Sequence, residues 1–275
     1  AKRIFFAAGE SDCGPSGDQN MSAYNLNQTG KTLFLNTVNY LIPDAIFYKF
    51  PYGNLPVIDG TMDPLWYDVD VNYIELTDEI YSSAGPPTLD LATWRGAWND
   101  TTIFMIITVE EDDFLPYYEA GGENTWHYDK IEIYIDVNVG ELDDGLGAKS
   151  GETSGDYQFA PDFFEGYSTY ISHSITWFGC DLISAYKVVD PDYVYEYAFD
   201  ISDLKDKYGS TLDPTAEPLI GFDVCIIDRD EGDAGRRFAV WKNTGENGYS
   251  WDNMDDCGEV TFSNEEISST STPFY

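Results

Sequence analysis

Short runs in which every second residue is apolar constrain this chain most strongly. Alternation at a period of two is typical of β-strands that bury one face in a core, and turn residues interrupt these runs at short intervals. Between residues 51 and 263 the pattern therefore predicts a mainly β protein, an antiparallel β-sandwich of jelly-roll type. The clearest runs are Ile103, Met105, Ile107 and Val109; Ile131, Ile133 and Ile135; and Tyr193, Tyr195, Tyr197 and Phe199.

The two ends of the chain differ from this pattern. Residues 1–50 contain a short apolar strand that ends at Gly9 and a helix that begins after Thr29 and ends before Pro43. A lone strand and helix cannot bury their own apolar faces, so this segment is interpreted as the remnant of an upstream α/β domain. Residues 264–275 are rich in Ser and Thr and are interpreted as a linker. The domain remnant and the linker together predict that this module has other domains of the same polypeptide as partners.

The chain is strongly acidic, with 14 Lys and Arg against 50 Asp and Glu and a formal charge of −36. This charge repels phosphate backbones and anionic lipid surfaces, so nucleic acid is not an expected partner. No apolar run is long enough to span a bilayer, so membrane insertion is not expected either. The acidity suits a neutral polysaccharide, bound divalent cations or a salty medium, and composition does not choose among the three.

The four cysteines are widely spaced and do not form the pattern of a disulfide scaffold or a zinc knuckle. Cys225 lies in an apolar run and is predicted to be a small buried thiol. Cys180 and Cys257 lie in loop-like segments, where a disulfide between them is an open alternative in an oxidising compartment.

Two tryptophans, Trp126 and Trp251, lie in polar loop segments where a core tryptophan is not expected. An exposed indole face stacks on the apolar face of a sugar ring, while the hydroxyls of the sugar need polar partners. Candidate partners are Asn247 and Asn253, which flank Trp251, and His127, which follows Trp126. We therefore predict a sugar-binding site that includes these side chains. The alternative is that both rings cap the core of the sandwich.

Five segments of the chain follow one another in a recognisable order: Val57–Trp66; Ala97–Phe104; Trp126–Asp136; Ile220–Val224 with Asp228, then Arg236, Arg237 and Trp241; and Tyr249–Trp251 leading to Cys257–Val260. They resemble the family-nine carbohydrate-binding modules, in which the same elements occur in this order. The resemblance covers residues 57–262 and implies a β-sandwich in which two tryptophans clamp a terminal sugar of a polysaccharide such as xylan or cellulose. The clamp positions match Trp126 and Trp251, and the family's ligand-binding glutamate matches Glu132.

The N-terminal segment resembles a different family. It is similar to the C-terminal end of the glutamine-amidotransferase-like α/β domains, which occur in secreted, sugar-related bacterial proteins. Together the two resemblances imply that the chain is a module of a larger bacterial protein that is secreted or held at the cell surface.

The strand that follows Trp126 agrees with the resemblance. Its three isoleucines share one face, so Glu132 and Tyr134 must occupy the other face, beside the ring of Trp126. There Glu132 can accept a hydrogen bond from a sugar hydroxyl. A charge-assisted hydrogen bond of this kind contributes about 1.5 to 3 kcal/mol and also orients the ligand.

One position departs from the family. Ala160 stands where the family has a sugar-binding arginine, so the range of ligands is left open. Arg95, Arg236 and Arg237 are the candidate replacements for the lost donor, and the alternative for each is a surface ion pair.

Two acidic loops carry the hard oxygen ligands that calcium prefers, although neither follows the twelve-residue helix–loop–helix pattern. The resemblance also implies structural calcium. Zinc and copper are disfavoured, because the chain has only 2 histidines and its cysteines are scattered. The candidate calcium ligands are Asp228, Asp230 and Asp233 in one loop and Asp136, Asp143 and Asp144 in the other.

Catalysis is not expected. The sequence has no serine elbow, phosphate-binding loop or Cys–His constellation, and nothing selects one carboxylate pair such as Glu132 with Asp252. The prediction is a non-catalytic carbohydrate-binding module. Two alternatives stay open: a structural module of an extracellular assembly without a sugar ligand, and a haem-binding relative of the same sandwich. The second needs axial ligands, for which His127 and Met254 are available.

Overall fold

The computed structural model describes residues 44–267 with gaps. In this part of the chain, no helix is long and apolar enough to cross a membrane. The strand and helix predicted for the N-terminal segment, and the linker residues beyond 267, lie outside the described residues. The described ranges are 44–75, 85–116, 127–137, 182–189, 191–206, 209–216, 218–233, 235–243 and 257–267. Residues 250 and 254 and the backbone of 157–159 are also described.

The described residues form a single curled sheet of 11 strands. The strands are β1 (Ala45–Lys49), β2 (Asn72–Tyr73), β3 (Leu91–Trp98), β4 (Thr102–Glu110), β5 (Lys130–Asp136), β6 (Tyr157–Phe159), β7 (Leu182–Val189), β8 (Asp192–Asp200), β9 (Leu219–Asp228), β10 (Arg237–Val240) and β11 (Gly258–Glu266). Their order is β6-β5-β9-β11-β1-β3-β4-β8-β7, with β10 paired to β9 and β2 paired to β3. The mainly β fold predicted from the alternating runs is confirmed.

Strand β1 connects the two layers of the sandwich, which are the layer β5-β9-β11 and the layer β3-β4-β8. Its first half pairs with β11, where Ala45 lies opposite Val260, and its second half pairs with β3, where Tyr48 lies opposite Ala97. Both pairings are parallel, so β1 departs from the antiparallel arrangement that was predicted and that the other strand pairs adopt. The reason is that a period-two pattern specifies which face of a strand is buried but not the direction of the strand.

The main core lies between the layer β5-β9-β11 and the layer β3-β4-β8. Every residue of the three alternating runs is buried in this core, as the pattern predicts. Aromatic rings connect the layers: the ring centroid of Trp94 in β3 lies 5.0 Å from that of Phe222 in β9 and 4.8 Å from that of Trp241. Tilted and edge-to-face pairs of this kind add to the stabilisation from apolar burial.

A buried carboxylate binds the segment before β2 to the outer face of the layer β3-β4-β8. Glu196 of β8 accepts hydrogen bonds from the backbone N–H groups of Asp59 at 2.9 Å and Gly60 at 2.8 Å. The indole N–H of Trp66 donates to its other oxygen at 2.9 Å. Three donors thus compensate the buried charge, which gives these motif residues a structural role in the fold.

Gly60 is the position in this segment that has no room for a side chain. Its φ is +77°, and a Cβ atom there would lie 2.4 Å from the backbone carbonyl carbon of Tyr186. We expect Gly60→Ala to lower the free energy of unfolding by about 2 to 5 kcal/mol, because left-handed strain adds to the clash. Urea unfolding measures this loss.

Gly53 provides the matched control for this prediction. Its φ is +79°, but nothing lies within 4 Å of a Cβ atom built there. Gly53→Ala should therefore cost only the strain, about 1 to 2 kcal/mol. Equal losses for the two variants would show that the close approach of Gly60 to β7 contributes nothing.

The sequence of Ser202–Tyr208, with Ser202 as a cap and Gly209 as a stop, predicts a short helix, and this prediction is wrong for the residues that the structure describes. A 3-10 turn spans only Ile201–Asp203, and the carboxylate of Asp200 caps it by accepting a backbone N–H of the turn at 2.8 Å. The chain then turns back, and Lys205 forms a β-bridge with Thr211. A carboxylate that captures a nearby N–H competes with the continuation of a helix.

Candidate functional site

The structure describes part of the predicted site. Trp126 and Trp251 lie outside the described residues, and so do Asn247, Asn253 and the candidate calcium ligands Asp143 and Asp144. We call residues 117–126 the first tryptophan loop and residues 244–253 the second tryptophan loop. The residues that border both loops are described and locate their ends. The described members of the predicted sites are Glu132, Tyr134, His127, Asp136, Asp228, Asp230 and Asp233.

Glu132 and Tyr134 lie on the outer face of β5, opposite the three isoleucines, as predicted. This face is covered, because only 5% of Glu132 and 0% of Tyr134 is exposed. Tyr134 packs with Phe238 and Met254 in an apolar cluster, and its hydroxyl donates a hydrogen bond to the Glu132 carboxylate. Burial, and then the charge of Glu132, raise the pKa of Tyr134 well above its ordinary value. The sequence pattern did not indicate this internal partner of Glu132.

A buried carboxylate on the same outer face anchors the segment that follows β10. Asp223 of β9 accepts hydrogen bonds at Oδ1 from the backbone N–H groups of Val224 at 2.9 Å and Lys242 at 3.1 Å. At Oδ2 it accepts the N–H of Asn243 at 3.0 Å and the hydroxyl of Ser250 at 2.8 Å. Burial raises the pKa of Asp223 to about 6, although these hydrogen bonds favour the ionised form. Sequence analysis missed this residue, whose signal is an aspartate at an outward position of an apolar strand.

Basic groups lie beside the end of the first tryptophan loop. Arg229 donates from Nη1 to the carbonyl oxygen of His127 at 3.4 Å, and its guanidinium lies 5.4 Å from the ring centroid of Tyr128. The guanidinium of Arg236 lies 4.7 Å from the ring centroid of Phe238. Burial, and then the charges of Arg236 and Arg229, lower the pKa of His127. The imidazole is therefore held towards its neutral form.

The three arginines proposed as replacements for the family's sugar-binding arginine have different surroundings. Arg95 donates to two backbone carbonyl groups of the segment before β2. Arg237 forms ion pairs with Asp230 at 2.6 Å and with Asp233 at 2.7 Å. Arg236 stacks on a ring of the apolar cluster that contains Tyr134. Of the three, Arg236 is the one beside the outer face of β5 and β9.

Three buried carboxylates meet at the ends of three strands. Glu111 follows β4, Asp129 precedes β5 and Asp228 ends β9, and one oxygen of each lies within 4.8 Å of the other two. None of the three is more than 3% exposed. Among the described residues, Oε2 of Glu111 and Oδ1 of Asp228 are buried without a hydrogen-bond partner. Carboxylates so close together need either protons or a cation to compensate their charge.

The pKa values of these acids reflect the crowding. Burial, and then the charges of Asp129 and Asp228, raise the pKa of Glu111 to about 9. Burial raises the pKa of Asp129 to about 8, although it accepts two backbone N–H groups. Burial also raises the pKa of Asp228. The donor set consists of hard oxygens, two of which have no other partner, and it therefore fits a calcium ion.

The predicted calcium loop after β9 is divided between two groups of residues. Asp228 belongs to the three-carboxylate cluster, whereas Asp230 and Asp233 form ion pairs with Arg237. Asp136, from the other predicted loop, is buried at the opposite end of β5 and is not a member of the cluster. All three aspartates of the loop after β9 lie within 4.0 Å of the Arg237 guanidinium, and of these only Asp228 also belongs to the three-carboxylate cluster.

Sequence analysis missed Glu111 and Asp129. Strand pairing explains how Asp129 reaches Asp228: Lys130 lies opposite Ile227, so the residues next to them along the two strands are brought together. The matched apolar runs of β5 and β9 could have indicated this contact. Glu111 follows a strand of the other layer, and no local pattern indicates its position.

The sulfur-containing side chains bear on two earlier alternatives. Cys225 is buried and free, as predicted, and Cys257 is also free, whereas Cys180 lies outside the described residues. Met254, the second haem ligand considered, is buried in the cluster with Tyr134. Its sulfur therefore has a packing role in this fold.

The family that this sandwich matches defines the class of protein, a binding domain. Residues 58–265 match the family described as carbohydrate family 9 binding domain-like, and the chain belongs to this family. The resemblance found in five sequence segments is thereby confirmed, and the family is one of binding domains rather than catalytic domains. The match begins at residue 58, so the resemblance of the N-terminal segment to amidotransferase-like domains stays a prediction. No curated protein matches the chain significantly.

Solved structures share the fold at low sequence identity. A family-nine carbohydrate-binding module from Caldicellulosiruptor kristjanssonii in complex with cellotriose is 16% identical, with a TM-score of 0.54 over 84% of this chain and 100% of that chain. The structure of such a module in complex with glucose is 17% identical, with a TM-score of 0.53 and the same coverage. A protein from Bacteroides uniformis is 12% identical, with a TM-score of 0.50 over 79% of this chain and 98% of that chain. These similarities establish the fold.

Proposed function

We propose that this chain is a non-catalytic carbohydrate-binding module in which Trp126 and Trp251 clamp one sugar unit of a polysaccharide. The observation that carries the proposal is family membership over residues 58–265, which includes both tryptophans. Stacking of an indole on each face of a sugar ring supplies most of the affinity, and polar groups orient the ring. The proposed polar groups are Glu132, Tyr134, Asn247, Asn253 and His127.

The described neighbours of the two tryptophans support this clamp. Met254 follows the second tryptophan closely in sequence and packs with Cys225 on the outer face of β9. Arg236 stacks on Phe238, which belongs to the same cluster as Met254, and after burial its charge lowers the pKa of His127, which follows the first tryptophan. The two loops therefore have ends near one guanidinium, an arrangement compatible with two rings that face one ligand.

The proposed ligand is a neutral polysaccharide of the cellulose or xylan type. A formal charge of −36 opposes the binding of anionic polysaccharides, and the solved family-nine modules from Caldicellulosiruptor kristjanssonii hold cellotriose and glucose. Such polysaccharides lie outside the cell. The proposal therefore includes a secreted or cell-surface location in a bacterium, with other domains of the same polypeptide attached.

We also propose a structural calcium ion held by Glu111, Asp129 and Asp228. Bound calcium would compensate the three charges there. Asp129, at the end of the first tryptophan loop, accepts the backbone N–H of Leu115 at its start, and it also accepts the N–H of Arg229 after β9. The ion would thus stabilise the start and the end of that loop. A second site with Asp136, Asp143 and Asp144 stays a prediction from the sequence.

Titration with neutral oligosaccharides tests the proposed function. We expect cellotriose to bind saturably and to quench tryptophan fluorescence, because indole rings stack on the sugar. Polygalacturonate is the control and should not bind, because its charge has the same sign as that of the protein. Absence of binding by cellotriose, xylotriose and glucose would favour the structural module without a ligand, and a Soret band in the purified protein would favour the haem alternative.

A further inference from the structure

We infer that Asp223 is a positioning residue for the sugar site, because it fixes the backbone that leads into Trp251. The inference deepens the proposed function and rests on it in one respect: Trp251 is taken to be a residue that contacts the sugar. Asp223 acts on the site through its hydrogen bonds to the segment after β10.

Asp223 ties together the two ends of the loop between Asn243 and Ser250. Its Oδ2 accepts the N–H of Asn243 at 3.0 Å and the hydroxyl of Ser250 at 2.8 Å. The side-chain Nδ2 of Asn243 donates to the same hydroxyl at 2.9 Å, which closes a triangle of hydrogen bonds among the three residues. All three residues are buried. Trp251 follows Ser250 directly, so any movement of Ser250 moves the backbone that bears the indole.

The position of Asp223 shows which part of the fold it serves. Its neighbours in β9, Phe222 and Val224, pack in the core between the layers, whereas Asp223 projects to the outer face. Apart from the N–H of Val224, its donors belong to Lys242, Asn243 and Ser250, all in the segment after β10. Only an ionised carboxylate can accept from all of these donors at once. The residue is therefore suited to hold the loop and not to fill the core.

Protonation of Asp223 is the perturbation that tests this role. A protonated carboxyl group loses one acceptor position while its donors stay in place, so the triangle must loosen. Tyr134, Cys225 and Cys257 face Asp223, and burial raises the pKa of each well above its ordinary value, so they stay uncharged in this range. The other charged groups on the packed elements are Lys130, Glu132 and Asp136 of β5, Asp228 of β9, Arg237 of β10 and Glu259, Glu265 and Glu266 of β11, with Arg236 and Lys242 on either side of β10.

The effects of acid on binding and on folding have opposite signs for this residue. The pKa of Asp223 is raised from 3.8 to about 6 in the folded protein. Its contribution to stability is therefore present at low pH and is lost as the pH rises through about 6. Loop positioning needs the ionised form, so the affinity for the sugar should fall as the pH drops through the same range. A residue that acted on stability alone could not weaken binding in this direction.

The first experiment measures the affinity for cellotriose between pH 5 and pH 8 by titration. We expect Asp223→Asn to bind roughly tenfold more weakly at pH 7 and to lose less affinity than the wild type between pH 7 and pH 5, the remaining loss coming from protonation of His127. Ser250→Ala, which leaves β9 unchanged, should weaken binding in the same direction. Asp206→Asn is the control: Asp206 is also buried and accepts a backbone N–H at 2.7 Å, but in another loop. Wild-type affinity and pH profile in Asp223→Asn would overturn the inference.

The second experiment needs no ligand and separates this inference from the proposed function. In protein labelled with ¹⁵N-tryptophan, the indole resonance of Trp251, assigned with Trp251→Phe, should shift with pH near 6 in the wild type and not in Asp223→Asn. A Trp251 resonance that does not respond to pH in the wild type would overturn the positioning role. A responsive resonance in a protein that binds no cellotriose would support the positioning role and refute the proposed function.

Discussion

Replacing either Trp126 or Trp251 with alanine is expected to lower the affinity for cellotriose by roughly 30-fold or more, because an aromatic residue at the centre of a ligand site contributes about 2 kcal/mol or more. The free energy of unfolding should change by less than about 1 kcal/mol, since a ring at the rim of the sandwich adds little to the core. Titration with cellotriose and urea unfolding of the same preparations measure the two effects.

Two further variants make this result interpretable. Trp94 is fully buried in the core, so Trp94→Ala should lower the free energy of unfolding by about 3 to 5 kcal/mol. Tyr67 is 68% exposed and lies outside the proposed site, so Tyr67→Ala should change neither stability nor affinity. If both Trp126→Ala and Trp251→Ala behave like Trp94→Ala, and no saccharide quenches the fluorescence of the wild type, the two rings cap the core and the clamp is refuted.

Removal of divalent cations is expected to lower the melting temperature by about 5 to 10 °C relative to excess calcium. A ligand present at a hundredfold of its dissociation constant stabilises a fold by about 2.7 kcal/mol, and each kcal/mol shifts the melting temperature of a domain of this size by about 2 to 4 °C. The physical reason is the crowding of Glu111, Asp129 and Asp228: without the ion, only bound protons and, for Asp228, the guanidinium of Arg237 compensate their charge. Thermal melts in EDTA and in calcium, at matched ionic strength, measure the shift.

Two aspartates of the same loop provide the variants for this experiment. Asp228→Asn removes one carboxylate of the cluster, so its melting temperature should not respond to calcium and should equal or exceed that of the wild type in EDTA. Asp230→Asn removes an ion pair with Arg237 outside the cluster, so its calcium-dependent shift should persist. Equal melting temperatures of the wild type in EDTA and in calcium would contradict the cation site.

The two tryptophan loops are thus held in different ways. The first loop is tied at its ends by Asp129, beside the proposed ion, whereas Asp223 ties only the part of the second loop that precedes Trp251. EDTA should therefore act on the side of Trp126, while acid near pH 6 should act on the side of Trp251. Indole resonances of the two tryptophans can report these effects separately in one labelled sample.

The faces of the strands could be predicted from the sequence alone. The alternating residues of β4, β5 and β8 are buried between the layers, and Glu132 and Tyr134 lie on the opposite face of β5. Such predictions succeed because the period of two is a local property of the extended chain, so a few consecutive residues determine which side chains share a face. The family resemblance followed for a similar reason, since its motifs are short segments such as Val57–Trp66 and Ala97–Phe104.

Only the tertiary structure decided what those faces meet. The segment after β10 covers Glu132 and Tyr134, and β1 pairs in parallel with strands from both layers. Glu111 reaches Asp129 and Asp228 from the other layer of the sandwich. Each of these contacts joins residues that are far apart in the chain, and whether they meet depends on the curl of the sheet, on strand direction and on register, which no short stretch of sequence specifies.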